Sequence, residues 1–296
     1  MKINIFEPIG ICEGVDQALS KVMKIKITHS KDNIYLFGPI IHNEKINDLF
    51  KSLNINVVET KGLNNETKKM IISSYVPGDI VIFQAHGTIN LYKEILKKNN
   101  VQFFDLTCPI IDSTKNQILK SLNEEKREVI FVGKKNHEET ISIMDLSEKN
   151  LYLYDIKEGF VNGLEPKTKN IDIYYQTTLS IIDYDYFSLF LMQKYHEARN
   201  KGNICPKTRA RQEKIILDFE TRPDLVIVIG SESSSNTNEL FMMASNKYHN
   251  CIVKRINSVQ EIENFDFKDI NEVNVLSGTS ALNETVNEIV DFLKNK

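Results

Sequence analysis

Val101-Gln102-Phe103-Phe104-Asp105-Leu106-Thr107-Cys108-Pro109, with the sixteen residues that follow it, decides the fold. The β-branched and aromatic run at 101–104 reads as a strand. Pro109 suits the first position of a helix, where its missing N–H costs nothing. Residues 112–125 repeat apolar side chains at three- and four-residue spacing, so they read as that helix. Cys108 therefore stands where a strand's exit loop meets a helix start. The same arrangement recurs at Ile204-Cys205-Pro206, ahead of helix-like residues 209–218. It recurs more loosely at Gly10-Ile11-Cys12-Glu13-Gly14-Val15-Asp16, ahead of helix-like residues 16–27. Cys12 and Cys108 are 96 residues apart, and Cys108 and Cys205 are 97 apart.

Outward from these points, strand-like runs fall at 3–6, 34–37, 55–58, 80–83, 129–132, 151–154, 171–175, 225–229, 251–253 and 273–276. Helix-like stretches fall at 91–98, 184–199, 238–247 and 282–294. Alternation of this kind predicts an α/β protein with small, mostly parallel sheets. The near-equal cysteine intervals predict three similar α/β modules, at 1–108, 109–204 and 205–282, and then a C-terminal helix at 283–296. Three such modules would place the three helix starts around a common centre.

The chain has 296 residues, 41% hydrophobic and 26% charged, with a net charge of −3. No basic stripe dominates, which argues against a general nucleic-acid binder. The N-terminus shows no basic segment followed by an apolar run, and no stretch approaches the length of a membrane span. A cytoplasmic protein without membrane attachment is expected. The four cysteines include no Cys-x-x-Cys pair, so zinc ribbons and thioredoxin-type motifs are not indicated.

A lone cysteine is most often a small buried hydrophobe. Cys251, off the regular spacing and in a strand-like run, keeps that reading. For Cys12, Cys108 and Cys205 the spacing points elsewhere. A helix start carries partial positive charge, which favours the thiolate, the form that binds metal. Three thiolates can hold zinc with a histidine, or an iron–sulfur cluster. Zinc ligands usually come in pairs close in sequence, whereas long intervals suit a cluster gripped from several modules. A four-iron cluster normally takes four cysteines. With three, one iron lacks a protein ligand and is open to act as a Lewis acid.

The carboxyl ends of the strand-like runs, where ligands bind in open α/β sheets, carry polar residues. They include His42-Asn43, Gln84-Ala85-His86-Gly87-Thr88, His137-Glu138-Glu139, Gln176-Thr177-Thr178, Ser234-Ser235-Asn236 and Gly278-Thr279-Ser280. Ser234, Ser235 and Asn236 precede a helix, so they read either as a phosphate cradle or as ordinary caps. Ser280 poses the same choice. His42 and His86 either add charge for an anion or serve the structure. His137 with Glu139 forms the candidate acid–base pair. Thr177 either relays a proton or caps a turn.

Taken together, these segments resemble the LytB-type 4-hydroxy-3-methylbut-2-enyl diphosphate reductases, which end the methylerythritol phosphate route to isoprenoids. The matching segments are Gly10 to Asp16, Ile41-His42-Asn43, Ala85-His86-Gly87, Asp105 to Pro109, and His137-Glu138-Glu139. They continue through Gln176 to Ser180, Ile204-Cys205 with Thr208 and Arg211-Gln212, Gly230 to Asn236, and Gly278 to Ala281. The resemblance implies a [4Fe–4S] cluster on Cys12, Cys108 and Cys205, at the centre of three modules in pseudo-threefold arrangement. It implies a diphosphate held by His42, His86, Ser234, Ser235, Asn236 and Ser280, with His137 also touching substrate. Glu139 and Thr177 would form the proton route to the leaving hydroxyl. The implied reaction is a two-electron reductive dehydration giving isopentenyl and dimethylallyl diphosphates, with ferredoxin or flavodoxin as electron donor. No Gly-x-Gly-x-x-Gly fingerprint supports direct use of NAD(P)H. Glu138, Ser233, Lys207 and Leu282 depart from the residues usual in the family. Two other readings fit an open-iron site: an aconitase-type dehydratase needing no net electrons, and an iron–sulfur sensor that binds a diphosphate metabolite.

Overall fold

Strand pairing in the computed structural model, which describes residues 1–41 and 43–296, is parallel at every junction but one. The chain opens with β1 (Lys2–Ile5) and α1 (Glu13–Thr28). Next come β2 (Asn33–Phe37), α2 (Glu44–Ser52), β3 (Ile55–Val58), α3 (Asn65–Ser74), β4 (Asp79–Phe83), α4 (Asn90–Lys98) and β5 (Gln102–Asp105). These strands form a sheet in the order β3-β2-β4-β5. Then follow α5 (Pro109–Asn123), β6 (Glu128–Gly133), α6 (Glu138–Met144), β7 (Leu151–Asp155), β8 (Gly159–Phe160), β9 (Ile171–Tyr175), α7 (Ile181–Lys194) and β10 (Arg199–Asn200). The second sheet runs β10-β9-β6-β7-β8, with β8 antiparallel to β7. The chain ends with α8 (Pro206–Ile216), β11 (Leu225–Ile229), α9 (Ser235–Lys247), β12 (Ile252–Ile256), β13 (Glu272–Ser277) and α10 (Asn283–Lys294). The third sheet runs β1-β13-β11-β12. β1, from the segment expected to form the first module, thus pairs with β13.

Two compact units result. One comprises Met1–Glu13, Thr177–Ile182 and Ile204–Lys296; the other comprises Gly14–Gln176 and Asp183–Asn203. The first unit contains the third sheet, whose central strand β11 shows why it is buried on both faces. Val226 and Val228 pack with Leu240, Met243 and Ala244 of α9. Leu225, Ile227 and Ile229 point the other way, onto Val286, Ile289, Val290 and Leu293 of α10. Alternate side chains of a strand face opposite sides of its sheet, so a wholly apolar strand needs a helix layer on each. In the second unit, Phe37, Val81 and Phe83 pack with Ile72, Tyr92 and Leu96, and Val129 and Phe131 pack with Ile118 and Ile143.

Cys108 and Cys205 occupy the capping positions of α5 and α8, with proline at the first turn of each, and Cys12 immediately precedes α1. All three helices begin three residues earlier than apolar periodicity predicts. Their first turns lack a three- and four-spaced stripe, and in α5 and α8 proline sets the start instead. α7 stops at Lys194 rather than 199, and Arg199 enters β10. The cause is electrostatic. Asp172, fully buried on β9, accepts hydrogen bonds from Arg199 at 2.7 Å through Nε and Nη2, from Arg127 Nε at 2.7 Å and from Ser121 Oγ at 2.7 Å. That pull draws residue 199 alongside the strand. β12 runs longer than expected because Lys254 and Arg255 interrupt its apolar pattern; charged residues suit the edge position it occupies. Among the described residues, no helix is long and apolar enough to cross a membrane.

Burial pushes the Asp172 carboxyl up, but the bonds from Arg199 and Ser121 and the charge of Arg127 outweigh it and hold the group below 3.8. A depressed carboxylate pKa contributes stability above the unfolded value, and that contribution is lost as pH falls through the folded one. Asp172→Asn is therefore expected to lower stability at neutral pH by about 3 kcal/mol in urea unfolding. The gap between variant and wild type should narrow in acid.

Candidate active site

In the unit that contains the third sheet, three loops are fastened to α8. Its N-terminal cap is Cys205, whose amide donates to Thr177 O at 2.9 Å. Two turns on, Gln212 is fully buried; its Oε1 accepts from Ile181 N at 2.7 Å and its Nε2 donates to Leu179 O at 3.2 Å. This fixes the loop that carries Thr177, itself buried. Arg211, only 3% exposed, donates to Gly10 O at 2.7 Å, Ser277 O at 3.0 Å and Lys207 O at 3.0 Å. Gly10 begins the Cys12 loop, and Ser277 begins the Ser280 loop. The two loops also touch directly, since Cys12 N donates to Thr279 O at 3.2 Å and Gly10 N donates to Ser277 Oγ at 2.7 Å. Burial pulls the Arg211 guanidinium down, while the charges of Cys12, Cys205 and Glu7 pull it back up. The helix capped by Cys205 thus carries a buried cation that bonds the backbone of the Cys12 loop.

The same unit presents the start of α9. Ser234 caps it, its Oγ accepting from Thr237 N at 3.4 Å, and Ser235 Oγ accepts from Thr178 Oγ1 at 3.2 Å. Asn236 is 2% exposed, and neither its Oδ1 nor its Nδ2 has a hydrogen-bond partner among the described residues. A buried amide left unpaired costs about 1–3 kcal/mol per group. Such a group at a helix start, beside two serines, can donate to an anionic ligand. Thr237 wedges its hydroxyl between the loops after β11 and β13. A Cβ on Gly278 would stand 2.1 Å from Thr237 Oγ1, so only glycine admits this approach. Ser280, two residues on, is buried.

In the other unit, β4 leads into His86 and β6 into His137. Gly87 takes a φ of +92°, and a Cβ there would meet Ser142 Oγ at 2.5 Å, so the turn requires glycine. Cys108 N donates to Ala85 O at 2.9 Å, tying the third thiol's helix to the His86 loop. The rings of His86 and His137 meet edge to face with centroids 5.6 Å apart. His137 caps α6, its Nδ1 accepting from Glu139 N at 3.2 Å. An accepting Nδ1 places the neutral ring's hydrogen on Nε2. Glu139 has no exposed surface. Burial pulls the His86 imidazole below 6.5.

The structure therefore brings Cys12, Cys205, Thr177, Ser234, Ser235, Asn236 and Ser280 into one unit, and Cys108, His86, His137 and Glu139 into the other. His42 lies outside the described residues. All four cysteines are half-buried thiols. Among the described residues, no three or more His, Cys, Asp or Glu side chains stand grouped to hold a metal ion. Cys251 precedes β12, at the opposite edge of its parallel sheet from Ser234 and Ser280, and burial pushes its thiol up. Sequence reasoning noted Arg211 and Gln212 without giving them a task. Two adjacent polar residues in the second turn of a helix that starts at a spaced cysteine were the available signal.

Fold and loops together define an α/β protein of mostly parallel sheets, with thiols and imidazoles at its strand exits and a buried, unpaired amide at one helix start. The LytB protein family model matches residues 3–294. A 4-hydroxy-3-methylbut-2-enyl diphosphate reductase of Dictyoglomus thermophilum is 31% identical, covering 100% of this chain and 97% of its own. The enzyme of that name from Bacillus subtilis is 28% identical, covering 99% and 91%. The solved structure of the E-1-hydroxy-2-methyl-but-2-enyl-4-diphosphate reductase from Plasmodium falciparum superposes with a TM-score of 0.84 at 24% identity, covering 99% of this chain and 88% of that one. The chain belongs to the LytB family.

A buried histidine of lowered pKa that receives an anion takes up a proton as the anion binds. Calorimetric titration with inorganic diphosphate near pH 6.5, in buffers of different ionisation enthalpy, should show net proton uptake that His86→Gln reduces. Without ligand the sign differs. The unfolded chain protonates His86 first as pH falls through 6.5, so this residue lowers stability on the acid side.

Proposed function

We propose that this chain catalyses the reductive dehydration of (E)-4-hydroxy-3-methylbut-2-enyl diphosphate to isopentenyl and dimethylallyl diphosphates. Membership of the LytB family and the shared name of its full-length relatives support the reaction. One observation carries the substrate side: the buried, unpartnered amide of Asn236 in the first turn of α9, between Ser235 and the wedged Thr237. A diphosphate supplies the acceptors that this amide and the helix start lack. His42, His86, Ser234, Ser235 and Ser280 complete the proposed diphosphate set.

The proposed cofactor is a [4Fe–4S] cluster on Cys12, Cys108 and Cys205. The donor set suits it: each cysteine immediately precedes a helix's first turn, and the buried cation Arg211, on the helix that Cys205 caps, bonds the backbone of the Cys12 loop. When bound, the cluster would supply electrons singly, received from a ferredoxin- or flavodoxin-type donor, and one iron without a protein ligand. The three-module division at 108/109, 204/205 and 282/283 is proposed with it, its first two boundaries falling at Cys108 and Cys205.

Around that chemistry the chain's own groups have distinct tasks. The serines and Asn236 hold the diphosphate end and so orient the carbon skeleton. His137, with its hydrogen on Nε2, donates to the substrate. Glu139 has no exposed surface, so its proton passes through neighbouring groups rather than straight from bulk water. Glu139 and Thr177 form the proposed proton route to the leaving hydroxyl.

Anaerobic turnover of the hydroxymethylbutenyl diphosphate with a chemical reductant tests the reading; formation of the two C5 diphosphates is expected, and none without the reductant. Glu139→Gln should keep iron content and substrate binding while losing about 10²–10⁴-fold in turnover. Near-normal turnover would remove Glu139 from the route. Cys251→Ser should retain its full iron, and loss of iron from a folded Cys251→Ser protein would mean the ligand set is wrong.

A further inference from the structure

α6 is seven residues long, too short to keep its shape in water without help. It carries His137 at its cap and Glu139 in its first turn, so whatever fixes α6 fixes both. Part of the anchoring is hydrogen bonding. Ser142 Oγ donates to His86 O at 3.4 Å or Glu139 O at 2.9 Å, and Asp145 Oδ2 accepts from Asn90 N at 2.7 Å. A further anchor is ionic and reaches across from α3. Lys68 is 5% exposed, and its Nζ lies 2.8 Å from Glu138 Oε1. Glu138 is the first residue of α6, between His137 and Glu139.

We propose that the Lys68–Glu138 ion pair is a positioning device that holds His137 and Glu139 in their working places; it rests on the roles given to those two residues above. An ammonium taken out of water needs a counter-ion with close, fixed geometry. Glu138 supplies it from the first turn of α6, where a carboxylate is also favoured by the helix's positive end. The pair therefore draws the first turn of α6 toward α3 at the residue flanked by the two working side chains. Removing either charge leaves the other to seek water, which turns that first turn. Misplacing a reacting group by about 1 Å costs about a hundredfold in rate.

Lys68→Met and Glu138→Gln, each cluster-loaded, should lose about 10–100-fold in kcat with a smaller change in KM. Amide hydrogen exchange should quicken in residues 139–144 and stay unchanged in β4 and β6. The double variant Lys68→Met/Glu138→Pro removes both charges and places proline at a first helical position, which tolerates it. It should regain most of the lost kcat, and the charge-conserving Lys68→Arg should keep most of it. Single variants that fold and retain kcat within about twofold of wild type would overturn the proposal. So would a loss of kcat with unaltered exchange in α6, or a double variant as slow as the singles. Should the single variants not fold, Lys68→Arg and the double variant decide by the same criteria. Wild-type protein inactive on the hydroxymethylbutenyl diphosphate would remove the proposed reaction. The exchange comparison would still decide whether the pair holds α6, quickening supporting that and its absence overturning it.

Discussion

Parallel pairing is the constraint on which the rest depends. A parallel strand cannot turn straight back; it must hand the chain to a crossover, which here is usually a helix. Within each sheet the loops that leave the strands therefore gather at one edge, and helix starts gather there with them. In the third sheet this edge carries Ser234 and Ser280 after β11 and β13, while Cys251, on the entry side of β12, falls at the other. Chemistry assigned to one edge is thus denied to the other by backbone geometry before any side chain is considered.

The loops at those exits are not held by sheet hydrogen bonds, so their placement needs separate fastening. Arg211 and Gln212 do this from adjacent positions of α8. The guanidinium reaches the Gly10 and Ser277 carbonyls, and the amide clasps the backbone at 179 and 181. Both side chains are buried, and both bond chiefly to backbone of other loops, which fixes loop position whatever the loop side chains are. The Thr237 wedge between Gly230 and Gly278 works in the opposite sense, by steric exclusion. Attractive fastening in one place and close approach in another leave the Cys12, Thr177 and Ser280 loops little freedom.

Much of this was legible in the sequence. The apolar run of β11 and the Cys-Pro starts of α5 and α8 are strong local signals, because an apolar strand has one way to hide and proline has few helical positions open to it. The candidate residues on strand exits followed from the same pattern. What was not legible depends on distant partners. Arg199 reads as the end of a helix until Asp172 is known to be buried beside it. β1 reads as the opening strand of the first segment until β13, some 270 residues away, pairs with it. Glu138 reads as a solvated neighbour of Glu139 until Lys68, 70 residues earlier, reaches it. Each of these is a long-range contact whose partner no local window contains.

The central claim is that Cys12, Cys108 and Cys205 hold a four-iron cluster with one iron left for substrate. Its most direct test is Mössbauer spectroscopy of anaerobically purified, iron- and sulfide-quantified protein, with and without the hydroxymethylbutenyl diphosphate. Four irons per chain, one of them distinct and shifted on addition of the substrate, is the result expected. Absence of a cluster after anaerobic reconstitution, or a four-iron cluster whose spectrum does not respond to the substrate, would contradict the account.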